Sequence, residues 1–124
     1  MLELIENPKI EVGNLKIERD FTDVRDTVKA YYSIMNKGES GQIYNVCSGK
    51  LVSIKEILSV LKKFAQKEIT IVQNPELFRE GEQQKCYGKR DLITQCTGWE
   101  PKIPLKKTLS NLLDYWREKL NKKA

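Results

Sequence analysis

The chain contains no histidine among its 124 residues. That excludes a Ser-His-Asp or Cys-His mechanism carried by this chain alone. It also removes the residue that most often joins cysteine in zinc sites. Cysteine is scarce: Cys47, Cys86 and Cys96 are an odd number with no C-x-x-C spacing. Structural zinc takes four ligands, so three thiolates leave a site incomplete. The expectation is no metal, and reduced thiols in a reducing compartment. Long apolar runs are missing, none approaching the ~20 residues that cross a bilayer. The first residues lack the basic start and apolar centre of a signal peptide, which reads as a cytoplasmic protein. The seven glycines are Gly13, Gly38, Gly41, Gly49, Gly81, Gly88 and Gly98, and no three of them fall at G-x-G-x-x-G spacing. Without that turn a pyrophosphate has no cradle at a helix start, so the chain by itself is expected to bind no NAD(P).

What is present is ordinary soluble material in one domain's length, with 40% hydrophobic and 31% charged residues. The net charge of +5, from 22 Lys and Arg against 17 Asp and Glu, permits an anionic partner without specifying one. Part of the excess lies in Lys119, Lys122 and Lys123, a solvated tail. No stripe of basic residues interleaved with aromatics is visible, so neither nucleic acid nor membrane is an expected partner.

Along the chain, an apolar lead (Met1–Ile5) and the breaker Asn7-Pro8 precede an extended stretch, Lys9–Phe21, around a Gly13-Asn14 turn. The spacing of Val24, Val28, Tyr31 and Met35 predicts a helix from Asp23, its N-cap, with these four on the core face. Gly38 is expected to end it in a left-handed conformation. Gln42–Cys47 reads as a strand closed by Ser48-Gly49. Ser53 and Glu56 form a capping box ahead of a helix through Leu58, Leu61 and Phe64. Ile69–Val72 reads as a strand, 76–88 as a loop, and Asp91–Thr97 as a short helix ended by Gly98. A last amphipathic helix is predicted from Pro104 to Leu120. This is α/β material with few short strands and about four helices.

Two arginines are candidates for binding an anion. Arg19 ends the first extended stretch just before a helix, where its planar fork matches phosphate oxygens; the alternative is a surface ion pair with Asp20, worth little. Arg79 lies in the polar loop and is a weaker candidate by itself. Tyr115 and Lys119 have the Tyr-x-x-x-Lys spacing of a proton-transfer pair, but any amphipathic helix brings i and i+4 together, so the pair reads as a decoy.

Three ordered motifs carry a resemblance: Arg19-Asp20-Phe21-Thr22-Asp23-Val24-Arg25-Asp26, then Tyr44-Asn45-Val46-Cys47-Ser48-Gly49, then Thr97-Gly98-Trp99-Glu100-Pro101-Lys102-Ile103-Pro104. Together they resemble the C-terminal part of extended short-chain dehydrogenase/reductases acting on GDP-sugars, the GDP-4-keto-6-deoxymannose reductases and GDP-mannose 4,6-dehydratases of the NAD-dependent epimerase/dehydratase family. The resemblance implies an upstream Rossmann domain that binds NAD(P) and carries the catalytic Ser/Thr, Tyr and Lys. It implies that Arg19 and Arg79 contact the nucleotide diphosphate, and that the Tyr44–Val46 strand joins the main sheet beside the Asp23–Lys37 helix. The chain departs from the family where Arg79-Glu80 replaces Arg-Pro and Gly88-Lys89 replaces Gly-Asp.

The expectation is a single substrate-binding domain over residues 1–124, a fragment lacking its cofactor domain, not catalytic alone, and binding a GDP-sugar weakly. The alternative is a free-standing α/β interaction module without enzymatic activity. A fragment would expose the apolar surface its missing neighbour covers, so a homo-oligomer or swapped dimer is expected through the first extended segment and Gln42–Cys47.

Overall fold

A computed structural model describes residues 8–122, and the apolar lead Met1–Ile5 lies outside them. The elements are β1 (Lys9–Val12), β2 (Glu18–Asp20), α1 (Val24–Lys37), β3 (Leu51–Ser53), α2 (Ile54–Phe64), β4 (Thr70–Gln73), β5 (Lys85–Cys86), α3 (Asp91–Thr97) and α4 (Leu105–Asn121). They divide into two compact units, one built from residues up to Ile17, Ser53–Gln84 and the chain after Leu105, the other from Glu18–Val52 and Lys85–Leu105.

In the first unit β1 and β4 pair in parallel, with Ile10 opposite Ile71 and Val12 opposite Gln73. Helix α2 supplies the crossover that parallel neighbours require. Its start follows the sequence signal: Ser53 Oγ accepts from the Glu56 N–H at 3.2 Å, and Glu56 Oε2 accepts from the Ser53 N–H at 2.8 Å. The C-terminal part of α4 is tied to the end of α2 by Arg117 Nη2, which donates to the Phe64 carbonyl at 2.8 Å. No residue of α2 is fully buried. Between the sheet and the two helices an apolar cleft of about 200 Å³ remains, lined by Ile10, Leu58, Leu61, Ile71 and Trp116 among others.

Ser53→Ala is expected to cost about 1 kcal/mol by removing the cap. The Ser53 backbone N–H and hydroxyl, both donating to Glu56, hold its carboxyl below the ordinary range. A depressed folded pKa contributes stability above the unfolded value, lost as pH falls through the folded one. Ser53→Ala removes only the hydroxyl's share, since the larger contribution from the backbone N–H survives in alanine, and should therefore flatten the acid limb of a stability-versus-pH curve, measured by denaturant unfolding, only in part.

In the second unit β2 is central, in a sheet of order β3-β2-β5, and pairs in parallel with β5 through Glu18–Lys85 and Arg19–Cys86. The core is Ala30, Ile93 and Trp99, with Ile34, Tyr44 and Val46 packed against it. Asp26 is buried in the same place and holds the chain after Trp99: Oδ2 accepts from the N–H groups of Lys102 and Ile103 at 2.8 and 2.7 Å, and the Asp26 carbonyl accepts from Trp99 Nε1 at 3.0 Å.

Several expectations need correcting. The apolar stripe of α1 is not its core face. Val24, Val28, Tyr31 and Met35 are 57–84% exposed, while the buried positions are Asp26 and Ala30. Periodicity located a face but not its partner, and Ala30 is preferred inside because it admits close approach. Gly38 is extended (φ −71°) rather than left-handed; a side chain is barred there because a Cβ would lie 2.6 Å from the Ile34 carbonyl oxygen. The segment Gln42–Cys47 joins no ladder among the described residues, since no neighbouring strand is there to receive it. Within 76–88, β5 forms where a loop was read. It is two residues long, too short for any periodic signal, and is fixed by its pairing with β2. Gly98 ends α3 as expected, and does so in the left-handed conformation, at φ 74°.

Candidate functional site

The E-R-D strand β2 places three charged side chains in succession, and each has a different fate. Glu18 meets Lys85 of β5 at 2.9 Å. The hydrogen bond to Glu18, followed by its Coulombic attraction, holds the Lys85 ammonium above its ordinary pKa. Arg19 is partly exposed, and its Nη1 donates to the Glu18 carbonyl at 2.9 Å. The Asp20 carboxylate grips the Ser48-Gly49 turn. Oδ1 accepts from the Ser48 N–H at 2.8 Å and the Ser48 hydroxyl at 2.6 Å, and Oδ2 accepts from the Gly49 N–H at 2.7 Å.

The second basic residue of this motif is committed locally. Arg25 Nε and Nη2 both donate to the Asp23 carboxylate at 2.8 Å, while that carboxylate also caps α1 by accepting from the Arg25 N–H. The Ser48-Gly49 turn borders a cleft of about 550 Å³ whose walls include Lys50, Lys89 and Arg90. Arg90 is structural in large part: Nε donates to the Ser48 carbonyl at 3.2 Å, and Nη1 to Thr94 Oγ1 at 3.0 Å and Glu100 Oε1 at 3.4 Å. Cys47 is a poor nucleophile, because burial and then the nearby Asp20 carboxylate push its thiol pKa up.

Arg79 belongs to the first unit, in the exposed loop after the 3-10 turn Pro75–Leu77, and takes no partner among the described residues. Arg19 belongs to the second unit. Tyr115 and Lys119 sit on exposed turns of α4. Lys119 Nζ lies 3.3 Å from the Tyr115 hydroxyl and over the Trp116 ring at 5.1 Å, a surface cation–π cluster. Among the described residues no group of three acidic or thiol side chains could hold a metal ion, and no helix is long and apolar enough to cross a membrane. Sequence reasoning missed the Asp20 clasp and the Asp26 anchor. The donors in both cases are mainly backbone N–H groups, which leave no trace in residue type.

The sequence profile of the GDP-mannose 4,6 dehydratase family matches residues 2–112. GDP-6-deoxy-D-mannose reductase of Pseudomonas aeruginosa is 38% identical over 112 residues, covering 90% of this chain and 37% of the relative. The structure of RMD from Pseudomonas aeruginosa complexed with NADPH superposes with a TM-score of 0.83 at 38% identity, over 90% of this chain and 36% of that one. UDP-glucose 4-epimerase of Thermotoga maritima with UDP-glucose gives a TM-score of 0.76 at 26% identity, over 96% of this chain and 37% of that one. The chain belongs to the GDP-mannose 4,6 dehydratase family, within the extended short-chain dehydrogenase/reductases. It spans about a third of the length of the relatives it matches.

Proposed function

We propose that this chain is the nucleotide-sugar-holding portion of a GDP-sugar reductase or 4,6-dehydratase, and that hydride and proton transfer belong to an NAD(P)-binding domain packed against it. The observation that carries the reading is the outer face of α1. Val24, Val28, Tyr31 and Met35, together with Ile43 at 84% exposure, present an apolar surface of the kind a covering domain buries. The Gln42–Cys47 segment, which joins no ladder among the described residues, offers backbone donors and acceptors to a further sheet.

In this reading Arg19 anchors the nucleotide diphosphate. Its guanidinium fork would hold the non-reacting part of the substrate, so that binding energy made there positions the sugar for chemistry elsewhere. GDP is the nucleotide favoured, on the identity to a GDP-sugar reductase. The chain alone should bind GDP weakly and turn nothing over.

The test is kinetic. In a full-length enzyme containing this segment, Arg19→Ala should raise KM for the GDP-sugar roughly 10- to 100-fold, the range of one lost charge-assisted contact. An unchanged KM would remove Arg19 from the site.

A further inference from the structure

The acidic neighbour of Arg19 is tied to the rest of its unit in a way that bears on how the arginine is aimed. In a strand, successive side chains leave on opposite faces. Asp20 leaves β2 on one face and Arg19 on the other, so whatever fixes Asp20 fixes the rotation of the strand that presents Arg19. On the β5 side the ladder ends before Asp20: β5 is two residues long, and its pairing with β2 runs no further than Arg19–Cys86, while β3 flanks the other edge. On that open side the end of the strand is held by the three short bonds from Ser48 and Gly49 to the Asp20 carboxylate. The turn is itself braced, because the Ser48 carbonyl accepts from Arg90 Nε, and Arg90 is anchored on Thr94 of α3.

We infer that Asp20 is a positioning residue for Arg19, and through it for an anionic diphosphate ligand; the ligand part rests on the function proposed above. Positioning and simple electrostatics predict effects of opposite sign. Removing a negative charge beside a guanidinium should favour an incoming anion. Asp20→Asn removes that charge but also places an amide donor against the Gly49 or Ser48 N–H, so one bond of the clasp is lost and the strand end loosens. Glu18→Gln removes the same charge on the other side of Arg19 and leaves the clasp intact.

Two readouts on the 124-residue chain decide it. The first needs no ligand: the Arg19 Nε–H order parameter, from nitrogen relaxation. It should fall clearly in Asp20→Asn and stay at its native value in Glu18→Gln, with the backbone spectrum of both remaining dispersed. An unchanged Arg19 order parameter in folded Asp20→Asn, or an equal fall in Glu18→Gln, would overturn the inference. If Asp20→Asn fails to fold, Ser48→Ala, which removes only the hydroxyl arm of the clasp, takes its place and should give a smaller fall of the same kind. The second readout is GDP titration, in which Asp20→Asn should bind roughly tenfold more weakly than the native chain and Glu18→Gln no more weakly. Tighter binding by Asp20→Asn would show a charge effect and overturn the inference. Should the native chain bind no GDP, the proposed function fails, while the relaxation measurement still decides whether Asp20 positions Arg19.

Discussion

Asp26→Ala is expected to destabilise the second unit by about 3 kcal/mol, from two charge-assisted hydrogen bonds worth roughly 1.5–3 kcal/mol each. The carboxylate is 1% exposed, and its Oδ2 holds the Lys102 and Ile103 N–H groups. Alanine strands both donors and opens space between α1 and the chain after Trp99. The lower end of the range applies because Oδ1 is buried without a hydrogen-bond partner among the described residues. Removing the side chain therefore also relieves an unsatisfied oxygen. Against a typical total of about 5–15 kcal/mol, such a loss is large. Asp26→Asn keeps an acceptor of nearly the same shape and should cost less. Urea denaturation of the three proteins checks this, and an alanine variant within about 0.5 kcal/mol of the native chain would contradict the anchor.

The second large effect concerns association rather than stability. Val28 and Met35 are 59% and 84% exposed on the outer face of α1. Changing both to lysine should leave the unfolding free energy within about 0.5 kcal/mol, as surface substitutions do. The same pair should abolish whatever covers that face. Two buried apolar side chains at about 1.5–3 kcal/mol each amount to roughly a hundredfold or more in affinity. In the isolated chain the readout is sedimentation, with concentration-dependent association in the native protein and none in the double variant. Equal association in both would move the interface elsewhere. Of the first extended segment, β2 lies between β3 and β5, whereas β1 pairs with β4 in a two-stranded sheet and keeps one edge open among the described residues.

The sequence was most legible where local chemistry decides the structure. The capping box at Ser53, the Asp23 cap and the Gly98 stop each depend on residues a few positions apart, and each formed as read. It was least legible where a partner decides. The four-residue stripe of α1 was assigned to the core because periodicity reports that a face is apolar, not what it faces. Gln42–Cys47 has strand composition but finds no strand to pair with among the described residues. Strand β5 is the converse: its composition predicts nothing, and pairing with β2 makes it. Arg19 and Asp20 were visible as an adjacent pair, with a local ion pair as one reading. Their separate roles emerged only when Ser48 and Gly49, distant in sequence, were seen donating to Asp20.

The most direct test of nucleotide holding is a titration of GDP into the nitrogen-15-labelled chain, following the Nε–H signal of Arg19 together with the backbone amides. A saturable shift of the Arg19 signal, with dissociation in the millimolar range, is the predicted result. Shifts confined to other residues, or no shift of Arg19 at millimolar GDP, would contradict it.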